Sequence, residues 1–326
     1  MGNKLTTVMY HYVRDFTKTK YPNIKGLDIN DFTEQLLYLK NHYNLISIEE
    51  VINSIYNKEK LPDKCAILTF DDGYKDHYEY VMPILNKYKI KGAFYVPAAA
   101  VEDNKVLDVN KIHFILAKQT NTGKIITYLK NKLDEYRREY EIKSFDYYYS
   151  KLAIPNRFDS GDIIFIKRLL QVELEDSIRS SITDSLFKET LNISEEEFSK
   201  ELYMNKIELH EMIQHGMHIG CHGYQHFWWD HLSLENLNND IEKSLIFLKT
   251  LGVNMNYLTA SYPYGSYSKD ALDVLIQKKF KLAFTTEVDI AFVGTNHNLL
   301  LPRLDTNDFP KDRNSSANKW YHKTNT

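Results

Sequence analysis

Short apolar runs punctuate this chain, and between them apolar positions recur every three or four residues. Seven runs read as buried strands: Leu5–Tyr10, Cys65–Phe70, Gly92–Val96, Met217–Cys221, Tyr257–Ser261, Leu282–Thr285 and Leu299–Leu304, with Leu45-Ile46-Ser47 as a shorter one. The periodic stretches predict helices. Asp31 caps one from Phe32 to about Tyr43, and Ser47-x-x-Glu50 fits a capping box for Ile48–Tyr56. Others run from about His77 to Tyr88, up to about His215, from Leu232-Ser233 to about Leu251, and over Ser268–Lys278. Strand and helix in alternation predict a parallel sheet or barrel.

Between about Val101 and Asn205 the alternation stops. Ile112–Leu116, Ile125–Tyr140, Gly161–Leu174 and Glu175–Leu186 read as helices, interrupted at Tyr147-Tyr148-Tyr149 and Asn156, and Ser194-Glu-Glu-Glu-Phe starts another. The predicted division is a (β/α) barrel at 1–100 and 206–310, a helical insertion at 101–205 and a polar tail, poorly ordered, at 311–326. The insertion follows a strand end, where barrel loops build sites, so it is expected to bear on substrate choice. With 326 residues, 43% hydrophobic and 26% charged, the chain can bury a large core. A net charge of −3 and the lack of a basic run exclude an electrostatic nucleic-acid footprint. Cys65 and Cys221, far apart, suggest neither a disulfide framework nor a cysteine zinc site. No leader-like apolar segment follows Met1, and no uncharged apolar span reaches about 18 residues. The expectation is a cytoplasmic protein with no transmembrane segment.

Several strand ends carry polar residues, where such folds place their chemistry. Ala66-Ile67-Leu68-Thr69-Phe70 runs into Asp71-Asp72-Gly73-Tyr74. Adjacent residues of an extended chain point opposite ways, so the two carboxylates face different partners. Capping of the following helix explains them equally well on this stretch alone. His222-Gly223-Tyr224-Gln225-His226 follows another strand, and two histidines four apart meet one metal if the chain turns there. In a chain with 12 histidines that spacing alone is a weak signal. Ser261-Tyr262-Pro263-Tyr264-Gly265 reads by itself as a Pro/Gly turn, and His11 as a core histidine. His218 and Cys221 read as packed strand residues. Trp228 and Trp229 read as sugar-stacking or as buried rings.

Taken together, and in this order, these stretches resemble the NodB-type polysaccharide deacetylases, carbohydrate esterase family four. Thr69-Phe70-Asp71-Asp72-Gly73 resembles the family's first motif. His222-x-x-x-His226 resembles the second, with Gly223 where Ser or Thr is usual. Tyr262-Pro263-Tyr264-Gly265 resembles the third, with Ser261 where an arginine is usual. Met9-Tyr10-His11 and Leu301-Pro302-Arg303 resemble the rearranged branch that includes poly-N-acetylglucosamine deacetylases. The resemblance covers about 1–100 and 206–305. It implies a distorted (β/α) barrel of about seven strands carrying a mainly helical insertion. It also implies metal-dependent removal of an N-acetyl group from a sugar or polysaccharide precursor, releasing acetate. On that resemblance Asp72, His222 and His226 bind one divalent ion, with Zn2+ expected, and Asp71 is the general base toward water. Tyr264 offers its backbone N–H to the oxyanion, and His11 protonates the leaving amine. Arg303 orients Asp71 and holds it ionised. His297 is the alternative to His11. Hydrolysis of another small amide, such as an N-formyl sugar, is the rival reaction. A silent carbohydrate-binding protein is the rival of another class, and the presence of both acids and both histidines argues against it.

Overall fold

Seven strands lie side by side in the order Ala291–Val293, Asn3–Tyr10, Cys65–Asp71, Gly92–Val96, His218–Cys221, Thr259–Ser261 and Leu282–Phe284. The structure, a computed structural model, describes residues 3–156, 159–294 and 297–325. All neighbours in this order are parallel except the first pair. The mixed sheet curls into a distorted (β/α) barrel, one of the two forms the alternation predicts and the one the family resemblance implies. One segment spans the gap between its ends. Leu301 bridges to Phe284, and Leu304–Asp305 pairs with Val8 and Met9 of the first strand. Pro302, which has no N–H to donate, falls between these two pairings.

Side chains alternate along each strand, and the two faces differ. On the Cys65–Asp71 strand, Ala66, Leu68 and Phe70 join the larger apolar cluster with Leu36, Leu85 and Trp229. Cys65 and Ile67 join a second cluster with Leu5, Tyr95, Phe284 and Leu301. Thr69 and Asp71 continue that second face, so it is apolar at one end and polar where the strands end.

The helices follow their caps with a few differences. The Ser47–Glu50 capping box is present, and Ser233 and Ser268 cap Leu234–Thr250 and Lys269–Gln277. The first helix starts at Ile29, not Phe32, because Asp28 and not Asp31 takes the cap position, its side chain accepting from the Asn30 N–H. Pairing of Leu27–Asp28 with Val13–Arg14 holds Asp28 extended, as a cap requires. Ala291–Val293 is a strand that the apolar pattern did not reveal. The end of the chain is not a loose tail. Lys319–Asn325 is a helix, Trp320 is buried, and its indole donates to Asp308 at 3.1 Å.

By its contacts the chain divides into two units: Met1–Thr17, Gly26–Lys105 and Ser199–Thr326 form one, and Lys18–Lys25 with Val106–Phe198 form the other. The second unit is helical, with Asp108–Lys118, Thr122–Tyr136, Phe145–Leu152, Gly161–Arg168 and Asp176–Leu191. Tyr147-Tyr148-Tyr149 does not interrupt helices but lies within one, capped by Ser144, with Phe145 and Tyr149 packed on Phe165. Among the described residues no helix is long and apolar enough to cross a membrane.

Candidate active site

Parallel register brings the first residues together. Tyr10 pairs with Phe70, so His11 and Asp71 leave neighbouring strands side by side. Their side chains stand 4.0 Å apart, from His11 Nε2 to Asp71 Oδ2. The His11 side chain is 42% exposed, whereas Asp71 is buried. His77, fully buried, uses its Nε2–H to donate to the His11 carbonyl at 2.8 Å. His297 lies exposed in a turn after the Ala291–Val293 strand.

Asp71 is clamped. Arg303 approaches it with both terminal nitrogens, Nη1 to Oδ1 at 2.9 Å and Nη2 to Oδ2 at 2.7 Å. The guanidinium also donates to the Thr285 carbonyl, to Thr69 Oγ1 and to Ser261 Oγ. Ser261 Oγ in turn donates to Asp71 Oδ2 at 3.1 Å. The small Ser261 side chain thus shares space with a guanidinium supplied by the closing segment. Burial alone would push the Asp71 carboxyl up, but the Arg303 guanidinium and the His222 imidazole outweigh it and hold it at about 2.

Asp72 turns the other way, into a cluster of its own. Its Oδ1 lies 3.4 Å from His222 Nε2 and 3.4 Å from His226 Nε2, and the two ring nitrogens are 3.2 Å apart. All three residues are buried. The other carboxylate oxygen, Oδ2, accepts from the Tyr74 hydroxyl at 2.5 Å. The His222 Nδ1 sits 2.8 Å from the Ser261 carbonyl. A carbonyl only accepts, so Nδ1 carries a proton, and whenever the ring is neutral its Nε2 lone pair faces the cluster. His226 Nδ1 has no hydrogen-bond partner among the described residues.

This donor set fits a metal ion. A tetrahedral ion with bonds of about 2.0–2.1 Å spaces its ligands about 3.3 Å apart, the size of this triangle. One carboxylate oxygen and two imidazole nitrogens also leave positions for water and substrate. Burial opposes charge on Asp72, yet the hydrogen bond from His222 and the nearby imidazoles keep its carboxyl far below the ordinary range. Burial would lower His222 too, but Asp72 and Asp71 raise it. Burial and the His222 charge depress His226 to about 3, so it is neutral at pH 7.

Three of these positions hold unusual backbone. Asp72, His226 and Tyr264 have φ of 73°, 58° and 59°, in the left-handed region that side chains disfavour. Each such residue costs on the order of 1–3 kcal/mol, and such strain gathers at functional sites. The Tyr264 ring stacks on Trp228 with centroids 4.3 Å apart and meets the His226 ring at 4.6 Å. Trp229 is fully buried and Trp228 half-buried. His218 is hydrogen-bonded to Glu49 and Thr259 at the start of its strand, away from the cluster. Burial pushes the Cys221 thiol up to about 12, which fits a packed residue and not a ligand.

Residues 58–139 and 186–283 match the polysaccharide deacetylase family, and the chain belongs to it. YxkH of Bacillus subtilis (strain 168), whose name places it provisionally among polysaccharide deacetylases, is 29% identical over 94 residues, 28% of this chain and 32% of the relative. The poly-beta-1,6-N-acetyl-D-glucosamine N-deacetylase of Escherichia coli (strain K12) is 30% identical over 88 residues, 27% of this chain and 13% of the relative. The matches thus span about a third or less of these relatives. The Streptococcus pyogenes deacetylase PplD in complex with acetate superposes with a TM-score of 0.57 at 19% identity, over 94% of this chain and 93% of that one, a likeness of fold.

Proposed function

We propose that this protein is a metal-dependent N-deacetylase of an N-acetylated sugar or polysaccharide, releasing acetate. Family membership supports the reaction class. The observation that carries the reading is the pairing of two carboxylates with two environments: Asp72 faces two neutral-capable imidazoles, and Asp71, beside it, is locked to Arg303.

The roles follow from these environments. Asp72, His222 and His226 would hold a divalent cation, zinc by the donor set, which would supply a Lewis acid to acidify a water and polarise the acyl oxygen. Asp71 stays ionised and takes the proton as water oxygen adds to the acetyl carbon. Arg303 fixes the direction of that carboxylate with two parallel hydrogen bonds. The Tyr264 backbone N–H donates to the oxyanion. The C–N bond then breaks and the amine nitrogen takes a proton from His11, since an amine anion leaves poorly. One water is consumed, and acetate and a free amine result.

The test is acetate and amine release from N-acetylglucosamine oligomers of β-1,6 and β-1,4 linkage, with and without a chelator. Chelator-sensitive acetate release is expected. Release of formate from N-formyl sugars with none of acetate would replace the reading, and release of neither would end it.

A further inference from the structure

Between His222 and His226 the chain has only three residues, Gly223, Tyr224 and Gln225, in which to turn one ring back onto the other. Their backbone N–H groups belong to no helix or strand and need other acceptors. Two end on a single carboxylate. Asp240, from the helix Leu234–Thr250, accepts from the Tyr224 N–H at 3.0 Å and the Gln225 N–H at 2.9 Å. It also accepts from the Trp229 indole N–H at 3.2 Å. Asp240 is buried, and no salt bridge among the described residues engages it. Its side-chain hydrogen bonds therefore go to the loop and to the Trp229 indole just beyond it.

The closeness of this carboxylate has a steric condition. Gly223 has φ of 72°, and a Cβ there would stand 2.9 Å from Asp240 Oδ2. A side chain at 223 would both strain the backbone and push the carboxylate off its donors. Glycine at 223 and aspartate at 240 thus form one device. With the loop so held, His226 adopts its left-handed backbone and its Nε2 reaches the triangle.

We propose that Asp240 is the positioning residue of the histidine pair: it touches neither ligand, and it sets the loop geometry that gives the site its affinity for the ion. The inference rests on reading Asp72, His222 and His226 as a metal site. Groups that orient metal ligands typically contribute roughly 10–100-fold in affinity.

The experiment measures Zn2+ affinity of the 326-residue chain by competition with a chromophoric chelator, with no substrate present, alongside thermal unfolding of the metal-free form. Asp240→Asn keeps the size but turns an amide NH2 toward N–H donors. It should weaken Zn2+ binding roughly 10–100-fold. Gly223→Ala should do the same. Gly252→Ala is the control, since Gly252 has φ of 79° with nothing within 4 Å of an added Cβ. It should lose stability as a left-handed glycine does, and bind Zn2+ like wild type. If Asp240→Asn fails to fold, the Gly223→Ala and Gly252→Ala pair decides. Wild-type affinity in Asp240→Asn or in a folded Gly223→Ala overturns the inference. If His222→Ala also binds Zn2+ like wild type, it is the metal-site reading itself that has failed.

Discussion

His11 and His77 meet through one hydrogen bond, and the two imidazoles have opposite surroundings. His11 stands half in solvent beside Asp71, where a proton donor can reach a leaving group. His11→Ala should lower kcat roughly 10²–10⁴-fold, the usual worth of a positioned acid, with zinc content unchanged. Loss of zinc would make His11 a ligand, and an unchanged kcat would remove it from the reaction. His77 is fully buried, and burial lowers it to about 4. Its folded pKa lies below the unfolded value of about 6.5, so the fold favours the neutral ring. Stability from this group is therefore present above pH 6.5 and is lost as pH falls toward 4. Through that window the wild-type midpoint should fall more steeply than that of His77→Gln, by on the order of 3 kcal/mol in total. Parallel midpoint–pH curves would contradict this. At this scale the motif residues Asp71, Asp72, His222 and His226 were legible through the resemblance of their motifs to one family, since alone the acids read equally well as helix caps and the histidine spacing was a weak signal. Tyr74, His77 and Asp240 were not. A buried tyrosine, histidine or aspartate carries no signal until the fold sets its partner beside it, and Gly223 was the only trace of Asp240.

Among the elements, the segment from Leu301 to Asp305 does the most for the site. It pairs with Phe284 at one end and Val8 at the other, and it aims Arg303 at Asp71 between them. Arg303→Met leaves Asp71 buried without its partner, which should cost about 3–5 kcal/mol at pH 7. The Asp71 carboxyl, at about 2, lies below its unfolded value, so its contribution is present above about pH 4 and fades as pH falls toward 2. The gap between wild type and Arg303→Met, read by chemical denaturation, should narrow over the same window. Equal stability at pH 7 would show that the pair contributes nothing net. The strands of this barrel were readable because burial on both faces makes them continuous apolar runs. Ala291–Val293 was not, since three residues with Phe292 exposed at a sheet edge make no such run. The helix after Asp72 was placed by its periodicity, but its first turn, His77–Val81, is wound as a π-helix, which apolar spacing does not distinguish.

For the whole molecule, every residue assigned a role here belongs to one of the two units. The chain leaves that unit for Lys18–Lys25 and again for Val106–Phe198, and at the second exit Ser199 Oγ donates to the Lys105 carbonyl at 3.3 Å. A short Gly/Ser linker in place of Val106–Phe198 should therefore leave a folded protein that binds zinc like the full chain. Loss of zinc or of cooperative unfolding in that variant would mean that the helical unit is needed for the fold of the barrel. The break in strand pattern made this unit visible in the sequence, but helical periodicity says nothing of what a helix covers. The central claim, that Asp72, His222 and His226 form the metal centre of an amide hydrolase, is tested most directly by elemental analysis. About one zinc per chain is expected in wild type, with a large loss in both His222→Ala and His226→Ala. Zinc content like that of wild type in both variants would contradict it.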